Sequence, residues 1–269
     1  MNFVKTISST QNPLVKKVLL LKEKSRERKK TNTFVVEGLR EISLALKGGY
    51  VMEQLFFYEE IAQQESVFSL LQEHSSTPER IAITKEVYQK LAYRESTEGV
   101  VAICKSKKHQ LSDLKIAHNS PLILVAEAPE KPGNIGALLR TADAANVDAV
   151  IIANPKTDLY NPNIIRSSVG CVFTKAIAMG STTEVLAYLK ENRISIYGAA
   201  LSASVPYTTV DYTSATAIVV GTEATGLSNQ WLENTTKNII IPMSGEIDSM
   251  NVSVSAAILI FEAKRQRGF

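Results

Sequence analysis

The chain has 269 residues, 45% of them hydrophobic, enough for a sizeable core in one large domain or two of ordinary size. No apolar run approaches the length of a membrane span, and the start "MNFVKTISSTQNP" has no apolar stretch long enough for secretion, so a soluble cytoplasmic protein is expected. The net charge is only +3 but unevenly spread: the first 30 residues hold nine Lys or Arg against Glu23 and Glu27, a balance of +7 that leaves −4 elsewhere.

That basic segment comes first along the chain. In "NPLVKKVLLLKEKSRERKK" Asn12 can cap, Pro13 suits the first helical position, and Leu14, Val15, Val18, Leu19 and Leu21 give an apolar face. A helix ending in a basic tail is predicted, and its charge reads either as a solvated face or as the footprint of a phosphate backbone. From residue 33 short β-rich and helical runs alternate. "TFVVEG", "VMEQLFFY", "RIAIT" and "GVVAIC" read as strands, and "LREISLALKGG", "EEIAQQESVFSLLQEH" and "KEVYQKLAY" as helices. Together they predict a small α/β unit, and the polar stretch "KSKKHQLSDLKIAHNS" after it predicts a linker.

A second alternating unit follows. "PLILVAEA" is an apolar strand running into "PEKPGNIGALLRTADAANVDAVIIAN", where a Pro/Gly/Asn turn starts a helix. Gly133 and Gly136 permit close backbone approach, Asn134 can cap, and Arg140 follows it by six positions, so both could work near the amino end of one helix. Taken alone, Arg140 reads as a surface ion-pair residue. "TAIVVGTEATGLSNQWL" is a strand and a glycine-bearing loop with one acid, Glu223; "KNIIIPMSGEIDSMNVSVSAAILIFEAKR" is a strand, a polar loop and an apolar helix.

That last loop holds Pro242, Gly245, Ser249 and Asn251 but no His, Cys or Lys, which suggests recognition by main-chain and neutral polar groups. Three strand-loop-helix units with polar loops predict a site at the carboxyl ends of parallel strands. Neither a G-x-G-x-x-G nor a phosphate-loop motif is present, so dehydrogenase and nucleotide-triphosphatase readings lose support. Cys104 and Cys171 stand 67 positions apart, and His74, His109 and His118 have no ligand spacing, which argues against a metal, a disulfide framework or a histidine triad.

Three ordered segments resemble the motifs of the SpoU family of RNA ribose 2′-O-methyltransferases, in the knotted methyltransferase superfamily. "NIGALLRTA" matches the first, "GTEATGL" the second and "IPMSGEIDSMNVS" the third, and "RSSVG" from Arg166 matches an intermediate element. Ala224 and Met250 depart from the family's usual glycine and leucine, both small apolar changes. The amino half is similar to the ribosomal-protein-like substrate-binding domain of many members. The resemblance therefore implies an α/β protein: a basic extension over 1–30, a small α/β RNA-binding domain over 31–104, a linker over 105–120, and a trefoil-knotted methyltransferase domain with a mostly parallel sheet over 121–269.

It further implies S-adenosyl-L-methionine as cofactor, held by Gly221, Thr222, Glu223, Gly226, Ile241, Met243, Met250 and Asn251, and no metal. Catalytic positions fall on Arg140, Asn134, Glu223, Ser249 and Asn251. RNA, ribosomal rather than transfer RNA by preference, is expected on Lys16, Lys17, Arg26, Arg28, Lys29, Arg40 and Arg166, although Arg40 with Glu37 reads equally as a structural pair. The family's general base is Arg140, a guanidinium that normally stays charged. Either an RNA phosphate takes a proton from it, or it positions the phosphate and stabilises a developing alkoxide. Relatives build each site from two subunits, so a homodimer with the helix 251–264 at its interface is expected. An RNA-binding protein that had lost catalysis would be favoured by a broken Arg140 or Asn251, and both are intact. Another α/β ligand-binding enzyme is disfavoured by the missing phosphate motifs.

Overall fold

The computed structural model describes residues 5–62, 64–93, 98–116, 119–201, 204–246 and 249–269, without the side chains of Gln64 and Ser66. His118 and residues 247–248 of the third motif therefore lie outside the described residues. Two compact units result: Met1–Lys107 with Asp158–Thr174, and Lys108–Thr157 with Lys175–Phe269.

The first unit begins with β1 (Lys5–Ile7), α1 (Pro13–Glu23) and α2 (Ser25–Thr31). It continues through β2 (Thr33–Glu37), α3 (Leu39–Lys47), β3 (Met52–Phe57), α4 (Gln64–Glu73), β4 (Glu79–Ile83), α5 (Lys85–Leu91) and β5 (Val100–Lys105). The five-stranded sheet has the order β1-β4-β3-β5-β2, with β5 antiparallel to both neighbours and the remaining pairs parallel. The amino-terminal residues are not an appendage to it. Val15, Val18 and Leu21 of α1 and Ile7 of β1 pack in one buried cluster with Val35, Phe56, Tyr88 and Val101.

Asn12 caps α1 by accepting from the Leu14 N–H at 2.9 Å, and Pro13 occupies its first turn, as the sequence predicts. The predicted single helix nevertheless breaks at Lys24, which is extended. Arg28 accounts for the break. Its guanidinium donates to the carbonyls of Leu21 (2.6 Å) and Lys22 (3.2 Å), groups that a helix end leaves without partners, and it pairs with Asp158 at 2.5 Å.

The second unit carries β6 (Leu122–Glu127), α6 (Pro132–Ala144) and β7 (Ala149–Ala153). Next comes α7 (Pro162–Ser167), within the Asp158–Thr174 stretch that packs with the first unit. The sequence reading placed this stretch with the carboxyl half. By its contacts it packs with the first unit: Tyr160 stacks on Phe34 with centroids 4.1 Å apart, and Phe173 packs edge-on to Tyr50. The second unit resumes with β8 (Ile177–Gly180), α8 (Thr182–Glu191), β9 (Ser195–Ala199), β10 (Val205–Pro206), β11 (Thr216–Val220), α9 (Asn229–Leu232), β12 (Lys237–Ile240) and α10 (Val252–Arg267).

Its seven-stranded sheet has the order β10-β12-β9-β11-β6-β7-β8, and its strand pairs are parallel. Burial on both faces explains why β6, β7 and β11 read as nearly continuous apolar runs. Strand order reverses between β6 and β11, the kind of switch point where open α/β sheets hold ligands. No helix of the described residues is long and apolar enough to cross a membrane.

Candidate functional site

A cleft of about 440 Å³ opens at the carboxyl ends of β6 and β11. It is lined by Ala126, Pro129, Lys131, Asn134 and Leu138 from one side, Gly221 to Thr225 from the other, and Val252 at the start of α10. Two distant sequence motifs and the edge of a third thus meet where the strand order reverses.

The loop after β11 is folded tightly on itself. Thr222 and Gly226 exchange backbone hydrogen bonds of 3.0 and 3.1 Å, and Thr222 Oγ1 accepts from the Thr225 N–H at 3.1 Å. Gly226 has φ +68°, and a Cβ on Gly221 would stand 2.2 Å from the Gly226 carbonyl carbon. Both glycines are therefore required by the turn. Buried Glu127, at the end of β6, accepts from the Ser228 N–H at 2.8 Å and from Ser228 Oγ at 2.6 Å, pinning the far end of the loop. The sequence reading passed over Glu127. Its signal was present, as the one charge inside the apolar run "LILVAEA".

On α6, Lys131 takes the cap position, so Asn134 lies inside the first turn rather than capping it. Its side chain is used differently: Asn134 Oδ1 accepts from Asn251 Nδ2 at 3.2 Å. Asn251 also caps α10, accepting from the Ser253 N–H at 3.0 Å and from Ser253 Oγ at 2.6 Å. Lys131 forms an ion pair with Glu223, tying the helix start to the glycine loop.

Arg140 does not share the cleft. Six residues at 100° each carry it about 240° around the axis from Asn134, whereas Leu138, four residues on, stays on the cleft side. Arg140 is exposed. Ile241, Met243, Ser249 and Met250 lie on the connection between β12 and α10 and are not among the residues lining the cleft. Met250 is 36% exposed.

The residues expected to meet RNA separate into three groups. Lys16 and Lys17 line a shallow groove with Leu20, Glu27 and Thr31, and Arg26 and Lys29 are exposed nearby in sequence. Arg40 and Arg166 line one pocket of about 320 Å³ in the first unit. Arg28 is a correction: at 4% exposure, with its donors engaged by Asp158 and two carbonyls, it is a structural residue and has no surface to offer a phosphate.

Comparison with known proteins bears on this geometry. The SpoU rRNA Methylase family model matches residues 121–261, and the MRM3-like substrate binding domain model matches residues 12–102. The chain is 28% identical, over 97% of its own length and 100% of the relative's, to the 23S rRNA (guanosine(2553)-2′-O)-methyltransferase RlmP of Bacillus subtilis. It is 29% identical, over 90% of its length and 85% of the relative's, to the 23S rRNA (uridine(2479)-2′-O)-methyltransferase of Streptomyces viridochromogenes. Among solved structures it resembles an AdoMet-bound rRNA methyltransferase from Sinorhizobium meliloti, with a TM-score of 0.89, 26% identity and 99% of each chain covered.

Proposed function

The chain belongs to the SpoU rRNA methylase family, and on that premise we propose that it transfers a methyl group from S-adenosyl-L-methionine to the 2′-hydroxyl of a ribose in ribosomal RNA. The observation that carries the reading is the cleft at the strand-order reversal. There Lys131, at the cap of α6 just ahead of the first motif, reaches the second through Glu223, and the first motif reaches the third through Asn134 and Asn251.

The cleft suits the cofactor in its donor set. It offers the backbone of a tight loop, Thr222 and Thr225 hydroxyls, and the apolar Ala126, Pro129 and Leu138. In this reading Gly221, Thr222, Glu223 and Gly226 hold S-adenosylmethionine, with Ile241, Met243, Met250 and Asn251 closing around it from the β12–α10 connection. When bound, the cofactor supplies an electrophilic methyl carbon, so the protein's task is alignment and removal of one proton. Asn134, Glu223, Ser249 and Asn251 orient the reacting groups. Arg140 holds the RNA phosphate and either passes it a proton or stabilises the alkoxide that develops on the ribose oxygen.

A second copy of the chain completes the site. Arg140 stands exposed on α6, and α10 exposes Val254 and Phe261, large apolar groups that a partner helix would cover. The reading includes a cytoplasmic protein and the trefoil knot that family likeness implies. The test is methyl transfer from radiolabelled S-adenosylmethionine to ribosomal RNA from a strain lacking the gene, followed by mapping of 2′-O-methyl positions. Labelled 2′-O-methylribose at one nucleotide is the expected result. No calorimetric binding of S-adenosylmethionine, together with no labelling, would overturn the reading.

A further inference from the structure

The pocket shared by Arg40 and Arg166 has a feature that neither residue explains. Tyr93, two residues beyond α5, is 56% exposed and lines it. The chain beneath that ring is pinned. The Tyr93 N–H donates to Glu37 Oε1 at 2.7 Å, Glu37 pairs with Lys22 at 3.2 Å, and Lys22 Nζ donates to the Leu91 carbonyl at 2.5 Å. The Lys22 and Glu37 side chains are only 15% and 14% exposed, so this support is sheltered from competing water.

Over the ring lies the Arg166 guanidinium, 4.1 Å from the centroid, itself held by a 2.9 Å hydrogen bond to Asn163 Oδ1. The ring therefore backs the guanidinium, and an exposed guanidinium plane held in this way is a surface on which single-stranded bases stack. The electrostatics select a base over a phosphate. Glu37, Glu41 and Glu98 line the pocket, and burial pushes the Glu41 carboxyl up, aided by Glu98 and Glu37 against the pull of Arg40. Carboxyl groups repel phosphate but accept the N–H donors of a base edge. The exposed Arg40 is left for a backbone phosphate.

We propose that this pocket seats one unpaired nucleobase of the RNA, stacked on the Arg166 guanidinium that Tyr93 backs, an inference that rests on the ribosomal-RNA methyltransferase reading. An enzyme acting on a ribose must pull its target out of stacked RNA, and a seat for an extruded neighbouring base lowers the cost of doing so.

The test uses the full chain and two fluorescent probes, a single-stranded adenine hexaribonucleotide and its abasic counterpart, in anisotropy titrations. Wild-type protein should bind the base-bearing probe at least about tenfold more tightly, the scale of one stacked base. Tyr93→Ala should erase that difference and Tyr93→Phe should keep it, while the salt dependence, set by phosphate contacts, stays the same in both. Equal binding of the two probes by wild type, or an unchanged preference in Tyr93→Ala, overturns the proposal. The two readings fail separately. If the methyltransferase reading is wrong, wild-type protein labels no ribosomal RNA; if only the base seat is wrong, Tyr93→Ala labels ribosomal RNA and binds S-adenosylmethionine as wild type does.

Discussion

Asn251 Nδ2 donates to Asn134 Oδ1 at 3.2 Å, joining two residues 117 positions apart, one capping α10 and the other in the first turn of α6. Each of the two amide atoms of Asn251 has its own task, so the tasks can be separated. Asn251→Ala should lose the cap, costing about 1 kcal/mol of stability, as well as the contact to Asn134. Asn251→Asp keeps an acceptor for the Ser253 N–H but has no amide to give Asn134. It should retain the melting temperature while methyl transfer falls with both variants. Equal melting losses for the two would show that the contact to Asn134, which both lose, carries the stability and the cap does not.

Arg140 and Gly221 are predicted to fail in different ways. Arg140→Ala leaves the cleft lining untouched, so S-adenosylmethionine affinity should persist while turnover drops about a hundredfold or more. Arg140→Lys should rescue little, because the planar fork is lost. Even Gly221→Ala would set a Cβ 2.2 Å from the Gly226 backbone, so the loop cannot keep its shape. Calorimetry should then find no cofactor binding. Loss of cofactor binding in Arg140→Ala would remove that residue from the chemistry.

The basic amino-terminal residues divide into those that hold the fold and those free to meet RNA. Arg28→Ala strands the Asp158 carboxylate, 11% exposed, and should cost about 3–5 kcal/mol in urea denaturation. Lys16, Lys17, Arg26 and Lys29 changed together to Gln should leave stability nearly unchanged but flatten the salt dependence of RNA binding. The expected change in log-log slope is roughly 0.7 per lost contact on single strands. An unchanged slope means these charges are merely solvated. Deleting residues 1–30 is no substitute, since it removes buried Val15, Val18 and Leu21 from the core of the first unit.

Glu262 gives α10 a pH dependence. Hydrogen bonds from Arg265 at 2.8 Å, and from Gln266 at 2.8 Å, hold its carboxyl down at about 2, below the ordinary value of 4.5. A depressed carboxyl stabilises the folded state above about 4.5, and that contribution is lost as pH falls toward about 2. Glu262→Gln should therefore melt lower than wild type at pH 7, with the two curves converging at the acid end. A gap that stays constant across the titration would refute the assignment.

Assembly is tested on the exposed face of α10. Phe261, 41% exposed, and Val254, 48% exposed, lie seven residues apart and so on one face of the helix. Phe261→Arg should convert a dimer to a monomer in light scattering, with methyl transfer lost and each monomer still folded. A wild-type monomer at micromolar concentration would sink the dimer reading outright.

Much of this protein was legible before any coordinates. Nearly continuous apolar runs marked β6, β7 and β11 because strands buried on both faces need no alternation, and the register of three short motifs pointed to the family and the cofactor class. Helical geometry also held, unread, the fact that Arg140 turns away from Asn134. Other features are decided by partners far off in the chain. Arg28 looks like its solvated neighbours until Asp158, 130 positions away, and the end of α1 bury it. Tyr160 and Phe173 draw the stretch Asp158–Thr174 into the first unit through aromatic packing on Phe34 and Tyr50, which no local pattern announces. Tyr93 is one more helix-end aromatic until Lys22, Glu37 and Arg166 gather around it. Periodicity records whether a residue faces the core, because that is set by its own helix or strand. Which groups meet there depends on chain closure and on the exclusion of unpaired charge from buried sites, and only the folded chain sets those.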